Sequence, residues 1–328
     1  MIQGTDLQAL HRDAIVLDAH TDALLDVIAG KRRLGERSSA GQFDFPRAIE
    51  GGLTVELMAM FVDPLAPGNY SRQLFQFIDA FYREAADCSD AATIALRAND
   101  VLRAKAEGKV AMILSLEGAE GLEGSLGALR VCHRLGLRFL GITWNRRNEA
   151  ADGVGEAQSG SRLTSFGVEL VEECNRLGIV LDMAHLSPSC VDHVLEISEA
   201  PVVVTHGNCA ALWPHRRNLT DRQLEAIASK GGVVGATCVP AFSGDDELHG
   251  SLDALLDHID HMVRVMGDDH VGFGMDFDGM EDSRMAGMED IAQLPNLTSG
   301  LAERGHSPET IRKILGQNFL RVFRQVAG

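Results

Sequence analysis

Three things are scarce in this 328-residue chain, and each scarcity excludes a class of function. Basic residues fall short: 30 Lys and Arg stand against 47 Asp and Glu, a formal net charge of −17. Nucleic-acid binding rests on clustered cations that neutralise phosphates, so no nucleic-acid partner is expected. Long apolar runs are missing too. No stretch reaches the roughly eighteen uncharged apolar residues of a membrane-spanning helix, which argues against a membrane protein. The opening MIQGTDLQALHRDAIVLDAH has no basic region followed by an apolar run, so no secretory signal is expected. Paired cysteines are the third absence. Cys88, Cys132, Cys174, Cys190, Cys209 and Cys238 are scattered, and none forms a CxxC pair. Small packing residues in a reducing compartment are the simpler reading than disulfides or a zinc knuckle. Together these point to a soluble cytoplasmic enzyme whose excess negative charge serves solubility.

What the chain has in quantity is a repeating unit. Short apolar, β-branched runs end each time in polar residues: AIVLDAH (14–20), LTVELMAMF (53–61), KVAMILSLE (109–117) and LRFLGITW (137–144), then GIVLDMAH (178–185), PVVVTH (201–206), GGVVGATCV (231–239) and HVGFGMD (270–276). Amphipathic stretches such as SFGVELVEECNRLG and LTDRQLEAIASKGG lie between most of them. Continuous apolar runs alternating with helices mark parallel strands buried on both faces. Eight such units predict a single α/β domain over residues 1–328, closed as a (β/α)8 barrel, with a doubly wound open sheet as the alternative. The segment from about 72 to 107 reads as two helices around Cys88 and Ser89 in an elaborated connection.

In such a barrel catalytic groups sit at the C-terminal strand ends. The first run ends DAHTD, so His20 and Asp22, two apart on a strand, can face the same way. The third ends SLEG with Glu117 at its mouth; the fifth and sixth end DMAHLS and VTHGN, with His185 and His206; the eighth ends GMDFDG, with Asp276. Each alone has an ordinary explanation as a core histidine, a salt bridge or a helix cap. Six such groups at the same end of five strands point to metal. Three His, two Asp and one Glu are too many for one tetrahedral zinc and suit two ions sharing a carboxylate.

These motifs also carry a resemblance. DAHTD, SLEG, DMAHLS…VTHGN, RRN and GMDFDG resemble, in order and approximate spacing, the membrane (renal) dipeptidase family of metal-dependent amidohydrolases, from about residue 13 to 325. The resemblance implies two Zn2+ per chain: His20 and Asp22 on one, His185 and His206 on the other, and Glu117 bridging. Asp276 would lie beside the first and handle the proton. In HRRN the match falls on Arg217, rather than Arg216, as the clamp on a dipeptide's C-terminal carboxylate, for which a guanidinium is suited. The chain departs from the family at one point. A His usual after the fourth strand, which polarises the scissile carbonyl, is replaced by Trp144 in ITWNRRNEAADG. Indole is a donor only. Asn145, Arg146 and Arg147 are candidates for the missing donor, and Trp144 for a wall of the substrate pocket. Asp18 and Asp278 are candidates to orient ligands from behind.

The function expected is zinc-dependent hydrolysis of dipeptides, with a homodimer as the default assembly. Two alternatives stand beside it: hydrolysis of a non-peptide amide, lactone or ester on the same barrel, and an inert metal-barrel binding protein. A metal-free isomerase or aldolase would need a Schiff-base lysine or phosphate loop near the seventh and eighth strand ends, and neither is found there.

Overall fold

The computed structural model describes residues 4–66, 68–244, 249–280 and 283–328. Eight parallel strands follow one another in chain order: β1 (Leu17–Thr21), β2 (Val55–Phe61), β3 (Val110–Glu117), β4 (Leu137–Gly141), β5 (Val180–Asp182), β6 (Val203–Val204), β7 (Val233–Ala236) and β8 (Val271–Phe273). The eight apolar runs thus become the eight strands. The sheet closes on itself just beyond β8. Thr21 and Phe277 form a parallel bridge, Asp276 N–H donates to His20 O at 3.1 Å, and Asp22 N–H donates to Phe277 O at 2.9 Å. Asp18 joins the seam with its side chain, accepting from Met275 N–H at 2.8 Å and from His20 N–H at 3.3 Å. This is a (β/α)8 barrel.

Helices pack outside the strands and begin where their caps dictate. Thr164 opens Ser165–Leu177 by accepting from Gly167 N–H, Thr220 forms a reciprocal capping box with Gln223 at Asp221–Ser229, and Ser251 caps Leu252–Met266. The barrel interior is filled by Leu17, Val55, Leu57, Ile113, Phe139, Val180, Val203 and Val233, all buried. Phe319 and Phe323 of the last helix, Asn318–Ala327, belong to the same cluster, and Phe323 packs on Phe139 with ring centroids 5.7 Å apart. Among the described residues, no helix is long and apolar enough to cross a membrane.

The elaborated connection contains the two expected helices, Tyr70–Asp87 and Ala98–Glu107, and also a strand that the apolar pattern did not reveal. Ala92–Ile94 pairs in parallel with the first residues of β3, Val110–Met112, while β4 pairs with the later ones, Leu114–Glu117. Three residues are too few to show a period.

The seam next to β8 leaves no room for side chains. A Cβ on Gly274 would sit 2.0 Å from Thr205 O, and one on Gly235 2.2 Å from the same carbonyl. Gly274→Ala is therefore expected to destabilise the fold by about 1–3 kcal/mol, as overpacking does. The check is the urea midpoint, which should fall; an unchanged midpoint would contradict this packing.

Candidate metal-dependent active site

The strand ends bring the six predicted side chains together at one mouth of the barrel. Glu117 is the last residue of β3, His20 lies within β1, and Asp22 follows it directly. His185, His206 and Asp276 stand two or three residues past β5, β6 and β8. The pairing of β1 with β2 is irregular between Asp18 and Thr21, which re-aims the segment holding His20. His185 and Asp276 have φ of 65° and 64°, and Asp278 has 68°. Non-glycine residues occupy this left-handed region at a cost, and they persist there only where the surroundings hold them.

Around Glu117 the geometry divides. Its Oε2 is 3.6 Å from His20 Nε2; its Oε1 is 3.0 Å from His185 Nε2 and 3.9 Å from His206 Nε2. On the first side, His20 Nε2 lies 3.4 Å from Asp22 Oδ2 and 3.9 Å from Asp276 Oδ1. His206 stands close to both sides. Its ring centroid is 4.1 Å from that of His20 and 4.9 Å from that of His185. Two groups have ligand atoms all within 4.8 Å of one another: His20 with Glu117 and His206, and His20 with Asp22 and Asp276.

Hydrogen bonds behind the imidazoles fix which nitrogen faces inward. Thr205 Oγ1 donates to Asp182 Oδ2 at 2.6 Å, so it accepts the proton of His206 Nδ1 at 2.9 Å. Asp182 Oδ1 also accepts from Thr205 N–H and Ala184 N–H, each at 2.9 Å. His185 Nδ1 lies 3.0 Å from Asn145 Oδ1, which assigns its proton there. Both Nε2 lone pairs then face inward, 2.8 Å apart, with a carboxylate oxygen beside them. Electron pairs packed this way repel unless positive charge lies among them. His20 Nε2 and Asp22 Oδ1 are buried without any hydrogen-bond partner. This donor set, imidazole nitrogen with carboxylate oxygen, fits a borderline divalent cation such as zinc.

Titration behaviour follows the same division. Burial, followed by the Arg217 charge, pushes His185 down to about 4, and burial with His20 lowers His206 well below its ordinary value. Both are kept neutral, the form that binds metal. Burial opposes charge on His20, yet Glu117 and Asp22 outweigh it and raise its pKa. Burial likewise opposes ionisation of Glu117, but His20 and His185 hold its carboxyl far below the usual range. Asp276 is pushed up to about 8 by burial, helped by Asp22 and Glu117 against His20.

The cluster opens into a cavity of about 450 Å³ lined also by Phe61, Asp63, Trp144, Arg217 and Phe242. The structure separates the two arginines of HRRN. Arg216 is exposed, whereas Arg217 is buried with its Nη2 on His206 O at 3.2 Å and its Cζ 5.4 Å from the centre of the Phe242 ring. Its Nε has no partner, and no described carboxylate forms an ion pair with it. A buried guanidinium without a carboxylate is costly unless a ligand supplies the anion. Trp144 forms a wall, 5.3 Å from Phe61 and 6.1 Å from His185 between ring centroids. Arg146 and Arg147 turn away to Glu156 and Asp152, leaving Asn145 as the member of that trio lining the cavity. Of the two candidates to orient ligands from behind, Asp18 acts through the backbone, accepting from the N–H of His20 and of Met275 beside Asp276, whereas Asp278 accepts from Arg32 Nη2 and Gln42 N–H, each at 2.5 Å. The pair that does orient an imidazole, Asp182 with Thr205, was missed, although both lie in the quoted motifs DMAH and VTH.

A (β/α)8 barrel with imidazoles and carboxylates converging at its C-terminal mouth has the architecture of a metal-dependent enzyme. The family model "Membrane dipeptidase (Peptidase family M19)" matches residues 5–328, and the chain belongs to that family. It is 32% identical over 325 residues to the dipeptidase tcpJ of Claviceps purpurea, covering 94% of this chain and 76% of that protein. The solved dipeptidase AC, a metallopeptidase of the same family, superposes with a TM-score of 0.89 at 31% identity, covering 96% of this chain and 99% of that one. A metallopeptidase from Rhodobacter sphaeroides, solved with a phosphinate mimic of L-Ala-D-Ala, gives the same score and identity, covering 96% and 100%.

If Thr205 holds the His206 tautomer, Thr205→Val should weaken metal affinity about 10- to 100-fold, the usual effect of removing such a partner. Competition against a chelator measures it, with circular dichroism to check the fold; unchanged affinity would refute the role.

Proposed function

We propose that this chain is a zinc-dependent dipeptidase whose two ions share the Glu117 carboxylate. The observation that carries the reading is the disposition of Glu117, with one oxygen toward His20 and the other toward His185 and His206. His20 and Asp22 would hold one ion, with Asp276 beside it, and His185 and His206 the other. Bound there, divalent cations supply the Lewis acidity that activates water near neutral pH and polarises a carbonyl. With a cation beside it favouring the ionised carboxylate, Asp276 would accept the proton of the attacking water and deliver it to the leaving amine. Arg217 binds the substrate's C-terminal carboxylate and so sets the distance from that end to the reacting bond. Trp144 closes the pocket as an apolar wall. Six free, buried cysteines are consistent with a cytoplasmic setting.

The dipeptide mimic held by the Rhodobacter relative supports a dipeptide as substrate, with an L,D pair among those to be tried. Trp144, standing where the family's imidazole would be, favours a second reading: hydrolysis of a non-peptide amide, lactone or ester. A panel of L,L and L,D dipeptides, N-acyl amino acids and lactones separates them. Cleavage confined to the last two classes would overturn the dipeptidase reading.

Two variants test the assigned roles. Asp276→Asn should retain bound metal and lose about 10²- to 10⁴-fold in kcat, the range for general acid–base catalysis; full turnover would remove Asp276 from proton transfer. Arg217→Ala should lower kcat/KM for dipeptides about ten- to a hundredfold, the worth of a charge-assisted bond. Dipeptide amides, lacking the carboxylate, should be little affected, and an equal loss on both would refute the clamp.

A further inference from the structure

A dipeptide carries a charge at each end, and the cavity holds one uncommitted group of each sign. Arg217 is the one permanent cation among the described residues lining it. Of its carboxylates, Asp22, Glu117 and Asp276 belong to the histidine cluster, and Asp278 is taken up by Arg32 and Gln42. Asp63 remains. Its Oδ1 accepts from Leu65 N–H at 2.8 Å, and no described cation forms an ion pair with it. It is half-buried and lines the cavity, so it stands ready for a positive ligand group.

Its place in the barrel suits the substrate's other end. Phe61, the last residue of β2, is paired in register with Glu117, and Asp63 lies two residues further toward the mouth. Arg217 belongs to the loop after β6. In the closed order of eight strands, β2 and β6 face each other across the barrel, with the Glu117 cluster between them. The peptide bond of a dipeptide lies in the same way between its ammonium and its carboxylate. Asp63 is also firmly set: its N–H donates to Gln73 Oε1 at 3.1 Å, and the Tyr70 hydroxyl donates to Pro64 O at 3.0 Å. These bonds tie the loop to the helix Tyr70–Asp87.

We infer that Asp63 binds the free N-terminal ammonium of the substrate, so that Asp63 and Arg217 together select dipeptides with both termini unblocked. The inference rests on the dipeptidase reading. Phe61 and Trp144, in contact with each other, and Leu65 also line the cavity, so it offers the first residue's side chain apolar surface. The ion pair would form at a half-buried carboxylate, where a charge-assisted bond is stronger than at a fully exposed one.

Asp63→Asn tests this, because asparagine keeps an oxygen for Leu65 N–H and loses only the charge. The substrates are L-Leu-L-Ala, L-Leu-D-Ala and their des-amino analogues, the 4-methylpentanoyl amides of alanine. For the dipeptides kcat/KM should fall about ten- to a hundredfold, while the des-amino analogues change less than about threefold. Calorimetric affinity for a phosphinate dipeptide isostere should fall in parallel, and that of its des-amino counterpart should stay. Equal losses on both series would make Asp63 a loop anchor and overturn the inference, as would unchanged dipeptide kinetics. If the unaltered enzyme cleaves the des-amino amides and no dipeptide, the dipeptidase reading itself has failed. If it cleaves dipeptides and the variant does so equally well, only the role of Asp63 has failed.

Discussion

Three imidazoles and three carboxylates crowd one end of the barrel, and the protein alone cannot neutralise the electron pairs they aim at one another. His185 Nε2 and His206 Nε2 lie 2.8 Å apart with the Glu117 carboxylate beside them, while His20 Nε2 and Asp22 Oδ1 are buried without partners. Burying such groups unsatisfied is unfavourable by several kcal/mol in general. The barrel tolerates it because its other parts are well bonded and tightly packed. The seam between β8 and β1 carries the strain of the left-handed residues Asp276 and Asp278, and Asp18 contributes a side-chain acceptor where the ladder lacks one. Remove that seam and Asp276 and His20 lose their common frame.

The same logic of uncompensated charge extends from the cluster into the cavity. Arg217 is buried without a carboxylate, and its charge adds to burial, the larger cause, in lowering the pKa of His185. One cation would thus do two things: offer a site for an anionic substrate end, as proposed, and reinforce burial in keeping a neutral donor beside Glu117. Across the mouth, Asp63 offers the opposite sign. On the proposed reading, such a site recognises its substrate by the charges that it leaves unpaired within itself, and blocking either terminus should be costly.

Much of this was legible in the chain. The eight apolar runs are the eight strands, because strands buried on both faces need no alternation and leave a continuous signal. The six polar residues ending those runs converge in space because a barrel aligns its strand ends. Arg217 was separable from Arg216 only through family resemblance; burial makes the distinction visible in three dimensions. The strand Ala92–Ile94 was too short to read. Asp63 was hidden because a lone Asp before Pro64 looks like any turn residue, and its meaning comes from the register of Phe61 with Glu117. Asp182 and Thr205 were in view within DMAH and VTH, but their partnership depends on adjacent strands bringing them to 2.6 Å.

The proposed mechanism depends on two cations sharing Glu117. The most direct measurement is metal content per chain in purified protein, followed by stripping with a chelator and titration with zinc while dipeptide hydrolysis is recorded. About two ions per chain are expected, with hydrolysis lost on stripping and recovered in full only near the second equivalent. Full activity in metal-free protein, or saturation at a single equivalent, would contradict the shared-carboxylate site.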